Sequence, residues 1–353
     1  MKAVMTFRLE DYNFELPDRL IAKYPLSERH DSKLMVLHRG QGRWEHRRFC
    51  DLPDLLSETD VLILNDTKVF PARLFGKKPT GGRVEVVLLN FPRVEEEGRA
   101  TSEALLRSSK PLRPGQRIIV GTDLEIEIME GADDWIKKIS LMYDGELLKV
   151  LETHGHVPLP PYIRRQDEDL DKKRYQTIFA RNIGSVAAPT AGLHFSNALL
   201  ERLKDIGVKI GYITLHVGYG TFAPVRTEDI REHKIHSEWI DVPSSALQLV
   251  RSAKANGSRI ICVGTTTVRA LEYVFKEHEK ADSYSGPCDL YIYPGFTFRA
   301  TDAIITNFHL PKSSLLIMVS AFAGRELILS AYNEAVKAQY RFYSYGDSML
   351  ILP

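Results

Sequence analysis

From Ala72 to Tyr143 the chain runs through six strand-like segments in succession, ARLFG, RVEVVLL, EALLRS, QRIIVG, LEIEIM and WIKKISLMY, with turn residues between them and no long helical pattern. Leu124 to Met129 alternates apolar and polar residues with period two. Such a stretch buries its apolar faces by closing into a small β-barrel or sandwich. On either side of it helices alternate with strands, the pattern of a mixed or mostly parallel sheet covered by helices. The expected fold is therefore multi-domain α/β. Residues 1–71 and 151–353 form a discontinuous α/β catalytic domain, and residues 72–150 form an inserted β-barrel domain. The 353 residues suit two domains.

Flanking the insertion, strands are expected at Lys33–His38, Arg43–Phe49, Val61–Leu64, Val208–Val217, Arg259–Val263, Asp289–Tyr293, Ala303–Thr306 and within Tyr345–Leu352. Helices are expected at Gly145–Thr153, Asn197–Asp205 behind an N-cap at Ser196, Ser245–Ala255, Thr266–Glu277, Ser313–Phe322 and Arg325–Gln339. The most apolar run, Leu315 to Ala323, is about half the ~20 residues a membrane span needs, so no membrane association is expected. Lys2, Arg8, Glu10 and Asp11 interrupt any apolar leader at the N-terminus. Cys50, Cys262 and Cys288 are few and far apart, which excludes a disulfide scaffold and fits a cytoplasmic protein. Lysine and arginine exceed aspartate and glutamate by 47 − 46 = 1, so nucleic acid would have to be held by a local basic face.

Ligands of open α/β sheets collect beyond the carboxyl ends of the strands. Four such ends carry small or polar residues: Asn65-Asp66-Thr67, His216-Val217-Gly218-Tyr219-Gly220-Thr221-Phe222, Gly264-Thr265-Thr266-Thr267 with Arg269, and Asn307-Phe308-His309. Gly264 to Thr267 opens a helix whose free N–H groups suit a carboxylate or phosphate, or simply form a threonine cap. It lacks the Gly-Lys-[Ser/Thr] end of a P-loop, and Gly218-Tyr219-Gly220 lacks the third glycine of a dinucleotide fingerprint. The small-residue run Val186 to Leu193 ends in His194 and Phe195, where backbone could approach a ligand and Phe195 could stack on a base.

His233-Lys234-Ile235-His236 with Glu238, and His154-Gly155-His156, contain metal-ligand residue types without the i, i+4 spacing of a helical zinc site, so no metal is expected. Basic residues gather at Arg29–Arg48 and Arg164–Arg174, each diluted by acidic neighbours.

Seven stretches taken together, LILNDTKVFPARLFGKKPTGGRVEVVLL, SVAAPTAGLHF, LHVGYGTFAPV, HKIHSEW, VGTTTVRALE, TNFHLPKSSLLIMVSAFAG and YRFYSYGDSMLI, resemble the S-adenosylmethionine:tRNA ribosyltransferase-isomerase family of queuosine biosynthesis. The resemblance runs in order from Leu9 to the C-terminus. It implies an α/β domain with an inserted β-barrel, and S-adenosylmethionine consumed as a ribosyl donor, with no separate cofactor and no metal. It further implies that the ribosyl unit passes to 7-aminomethyl-7-deazaguanine at the wobble position of a tRNA with a GUN anticodon. The ribosyl unit isomerises to give epoxyqueuosine, and adenine and methionine leave. A non-catalytic tRNA-binding paralogue is the alternative. A monomer is expected.

That chemistry needs a base for the proton on the 5′ carbon beside the sulfonium, and groups for adenine and for the methionine carboxylate. His216 is the expected base, with His194 next and Asp66 as a further catalytic group. His309 has a suitable pKa range, Thr265, Thr266 and Arg269 suit a carboxylate, and Phe195 and Phe222 suit a base. Asn65, Thr67, Gly218, Gly220, Thr221 and Asn307 complete the expected binding set.

Overall fold

The computed structural model describes residues 6–129, 136–218, 220 and 225–353. A hairpin of β1 (Lys33–His38) and β2 (Arg43–Arg48) leads through α1 (Leu52–Leu55) to β3 (Val61–Asn65) and β4 (Thr67–Val69). Next come β5 (Arg73–Lys77), β6 (Arg83–Leu88), β7 (Arg93–Glu96), β8 (Arg99–Ser108), β9 (Arg117–Val120), β10 (Leu124–Ile128) and β11 (Ile136–Tyr143). Then follow α2 (Leu147–His154), β12 (Gly155–His156), α3 (Asp169–Arg174), β13 (Asn182–Ser185), α4 (Asn197–Asp205) and β14 (Lys209–Leu215). The chain ends with β15 (Glu238–Val242), α5 (Ser244–Ala255), β16 (Ile260–Val263), α6 (Thr265–Glu277), β17 (Tyr284–Cys288), β18 (Ala303–Asn307), α7 (Ser314–Ala323), α8 (Arg325–Lys337) and β19 (Ser348–Leu352).

Six antiparallel strands close into a barrel in the order β11-β10-β9-β5-β6-β8, and β8 pairs back onto β11. Their alternate residues, among them Leu74, Val86, Ile118, Ile126 and Ile139, fill the interior. β7 hangs from β8 as a fully exposed Arg-Val-Glu-Glu strand, so no apolar alternation announced it. Leu147, Val150 and Leu151 of α2 pack into the barrel core, and β12 pairs with β5, so the barrel sheet takes up residues beyond 150.

The second sheet has the order β17-β15-β14-β3-β16-β18-β19-β1-β2. Its centre, β14, β3, β16 and β18, is parallel. Val61 and Ile63 point into a core shared with α5 to α8, and Leu62 and Leu64 into one shared with α1 and α4. Burial on both faces explains the unbroken apolar run of β3. Among the described residues no single helix is long and apolar enough to cross a membrane.

One expected strand is displaced. Asp289–Tyr293 is unpaired, and its Leu290 and Ile292 are core side chains on irregular backbone. The pairing falls instead to Tyr284–Cys288, which contains Gly286 and Pro287 and lies at the sheet edge, where proline is tolerated. β15, the partner of β17, was not anticipated; its side chains alternate buried and exposed.

Candidate active site

The four strand ends do not form one uniform cluster. Asn65 leaves β3 on one side and Asp66 on the other, because successive side chains of an extended chain alternate faces. Asn65 Nδ2 donates to the Leu215 carbonyl at 3.0 Å and to Thr266 Oγ1 at 3.2 Å. Its Oδ1 accepts from the N–H groups of Leu215 and Thr67, both at 3.1 Å. All four hydrogen-bonding positions of this side chain are used. Asn65 is therefore a positioning residue that ties β3, β14 and α6 together, and the expectation that it binds substrate directly is corrected.

On Asn65's side lies an open cavity at the carboxyl ends of the central strands. Thr265 and Thr266 line it at the N-terminus of α6, where unpaired N–H groups favour an anion. Gly264 makes the turn into that helix at φ 88°, a conformation that favours glycine. Val217, Asn307, His309, Tyr162 and Tyr343 also line the cavity. Asn307 Nδ2 donates to the Tyr343 carbonyl at 3.0 Å and faces His194 Nε2 at 3.2 Å. Its buried Oδ1 has no hydrogen-bond partner among the described residues. Tyr343 is held at φ 72°, rare for an aromatic residue and a mark of strain supported by its surroundings.

Two histidines here are locked. His194 pairs through Nδ1 with Ser32 Oγ at 2.7 Å and stacks on Phe49. Asn307 donates to its Nε2, so Nδ1 carries the hydrogen. Burial, then the charges of Arg341 and Arg29, push its pKa down to about 3. His309 Nε2 lies 2.8 Å from Thr306 Oγ1, and burial also lowers its pKa to about 3. Both rings are neutral at pH 7.

A second polar group lies on Asp66's side. Asp66 Oδ1 accepts from Thr214 Oγ1 at 2.7 Å and from Asn182 Nδ2 at 3.2 Å. His216 Nδ1 lies 2.8 Å from Thr67 Oγ1. The ring is half-buried, and desolvation lowers its pKa although Asp66 and Asp241 oppose the shift. Val217 lines the cavity, whereas the His216 ring lies outside it, against Thr67 and Gly184. Gly184 in β13 leaves room for the ring: a Cβ there would come within 2.6 Å of His216 Cε1. Asn182 and Gly184 were not anticipated, since nothing local in the sequence links them to His216.

Two expected roles are corrected. Phe195 is fully buried, edge-on to Phe49 and Phe179 in the core, so it cannot stack on a base. Aromatic rings lining the cavity include Tyr162 and Tyr343, 4.5 Å apart between centroids. Arg269 is also buried: its guanidinium pairs with Glu238 and donates to the Leu290 carbonyl at 3.0 Å, so its charge is already matched inside the protein. Gly218 N–H donates to the same Glu238 at 2.9 Å, and Gly220 lies against the His236 ring. Thr221 and Phe222 lie outside the described residues, as does Tyr219. His154 pairs with Asp123 and His156 with Asp167. Among the described residues no three His, Cys, Asp or Glu side chains gather as a metal-binding set.

Residues 9–351 match the profile of a family described as queuosine biosynthesis protein. An S-adenosylmethionine:tRNA ribosyltransferase-isomerase of Aquifex aeolicus is 50% identical over 345 residues, covering 98% of this chain and 100% of that one. Another, of Syntrophotalea carbinolica, is 49% identical over 346 residues with the same coverage, 98% and 100%. A crystal structure of S-adenosylmethionine tRNA ribosyltransferase from Thermotoga maritima is similar with a TM-score of 0.56 and 34% identity, over 97% of this chain and 100% of that one. The similarity takes in the barrel, the nine-stranded sheet and all four strand ends, and this chain belongs to the queuosine biosynthesis protein family.

Proposed function

We propose that this chain is an S-adenosylmethionine:tRNA ribosyltransferase-isomerase. It moves the ribosyl unit of S-adenosylmethionine onto 7-aminomethyl-7-deazaguanine at the wobble position of a tRNA with a GUN anticodon. The product is epoxyqueuosine-tRNA, and adenine and methionine leave. The observation that carries this reading is the end-to-end identity of about half of all residues with enzymes of that name. The cavity supports it with an anion-favouring helix start, two tyrosine rings and one unpaired buried acceptor on its wall.

In this reading the N-terminus of α6, with Thr265 and Thr266, takes the methionine carboxylate. Tyr162 and Tyr343, in contact with one another, form an aromatic wall beside the adenine, and Asn307 Oδ1 accepts a hydrogen bond from S-adenosylmethionine. His216 removes the 5′ proton, which the adjacent sulfonium makes acidic. Burial keeps this imidazole neutral and able to accept the proton. Asp66 faces His216 with a negative charge that favours the imidazolium once formed. The sulfonium supplies the leaving group, so the reaction needs no cofactor and no metal. We place the enzyme in the cytoplasm, as a monomer, with the α/β unit carrying the chemistry and the barrel as a separate domain.

The test is to incubate the protein with S-adenosylmethionine and acceptor tRNA and follow adenine. An enzyme releases adenine in step with tRNA modification; a non-catalytic tRNA-binding paralogue binds the RNA and releases none.

A further inference from the structure

The outer face of the barrel carries a mixed basic and aromatic patch. Along β5, Phe75 and Lys77 point outward, as do Arg83 on β6, Arg107 on β8 and Ile119 on β9. Phe75 is 47% exposed and Ile119 46%, which is unusual for large apolar residues on a strand face. Lys77 sits directly across from Arg83 in one ladder and from Ile119 in the next. Like charges placed opposite one another in a sheet disfavour folding, so barrel stability does not explain this pairing. Lys77, Arg83 and Arg107 make no ion pair among the described residues. The one carboxylate lining the groove among the described residues, Glu85, pairs with Arg73 at 3.1 Å and sits across from Arg107 in the β6–β8 ladder without an ion pair to it. By contrast, Arg47 on the exposed edge strand β2 is paired with Glu45 at 2.8 Å.

A short segment connects this patch to the cavity. His156 and Gln166 border the barrel groove, and Tyr162, between them, lines the cavity. Four residues of chain span at most about 14 Å, so Gln166 and Tyr162 lie within the width of one folded RNA stem.

We propose that the barrel face of Lys77, Arg83 and Arg107, with Phe75 and Ile119 between them, holds the phosphate backbone of the substrate tRNA while its wobble base enters the cavity. This rests on the tRNA-modifying activity proposed above. Three unpaired cations match a polyphosphate backbone, and an exposed phenylalanine offers a stacking face for an unpaired base.

The experiment compares the parent with Lys77→Gln/Arg83→Gln/Arg107→Gln and with the charge-conserving Lys77→Arg/Arg83→Lys/Arg107→Lys. Dissociation constants for acceptor tRNA are measured directly against salt, alongside steady-state kinetics. The neutral variant should bind tRNA at least tenfold more weakly and show a tenfold higher KM for tRNA. Its KM for S-adenosylmethionine should stay within twofold. Its salt dependence should flatten by about two to three units of log–log slope, at roughly 0.7 to 0.9 per phosphate contact. The charge-conserving variant should behave like the parent. Unchanged tRNA affinity and slope in the neutral variant would overturn the proposal and leave the patch to an acidic protein or a second copy. Equal weakening in both variants would overturn it too, because charge would not be the cause. Failure of the parent to release adenine would instead count against the activity, while direct tRNA binding still decides the role of the patch.

Discussion

His216 Nδ1 lies 2.8 Å from Thr67 Oγ1, a contact between side chains 149 positions apart. Assigning the Thr67 hydroxyl hydrogen to the Asn182 carbonyl, 3.5 Å away, makes Nδ1 the donor of the pair and leaves the free electron pair on Nε2. In that arrangement the ring has the tautomer that a base requires.

His216→Ala should abolish exchange of the donor's 5′ hydrogens with solvent and leave affinity for S-adenosylmethionine within a few-fold. Thr67→Val should lower kcat by about tenfold, the scale of one lost hydrogen bond of ~1.4 kcal/mol, with KM little changed. Gly184→Ala should also lower kcat, since the added methyl meets the His216 ring. Near-normal turnover of His216→Ala would shift the base to another residue.

Activity should fall on the acid side as His216 takes up a proton, with its midpoint below the ordinary histidine value of 6.5 because burial lowers the pKa. Asp66 opposes that shift, so Asp66→Asn should move the acid limb of kcat/KM to still lower pH. A limb that stays put or rises would mean that Asp66 does not act on the titrating group.

The buried neutral rings of His194 and His309 make stability depend on pH. Both have pKa values lowered from 6.5 to about 3. Between these values the unfolded chain binds protons that the folded chain refuses, so stability is full above pH 6.5 and declines as pH falls toward 3. Going from pH 7 to pH 5 should cost about 2 kcal/mol for each ring. Urea midpoints at the two pH values check this, and His309→Gln should show a shallower decline than the parent.

Arg269 and Glu238 are each 4% exposed at the side chain and bonded to one another. Arg269→Met should destabilise the protein by about 3–5 kcal/mol, because it removes the cation that matches a buried carboxylate. Arg269→Met/Glu238→Leu should recover much of that loss. Chemical denaturation of the three proteins reads the difference; a double variant no more stable than the single would show that Glu238 is well served without Arg269.

Asn307→Ser should weaken S-adenosylmethionine binding by about tenfold, or ~1.4 kcal/mol, by withdrawing the unpaired acceptor from the cavity wall. Calorimetric titration measures it. Unchanged affinity would leave Asn307 as a brace for Tyr343 and His194 alone.

The sequence by itself determined the long helices, the central parallel strands and the run of barrel strands, but not β7, β15 or the place of β17. Val61–Leu64 announced a strand buried on both faces, Ser196 caps α4 at Leu199 N–H, and period-two alternation marked the barrel strands, because these signals arise among near neighbours in the chain. It also marked all four central strand ends as the place to look. Only the tertiary structure decided which of those polar groups are free to act. Asn65 and Thr266 are 201 positions apart when they bond, and Arg269 finds Glu238 across 31. Phe195 reads like a stacking ring until its burial against Phe49 and Phe179 is seen. A polar residue at a strand end carries the same letter whether its hydrogen bonds go to a ligand or to the protein. The partners that settle the matter come from distant segments, brought together when the parallel strands and their helices pack.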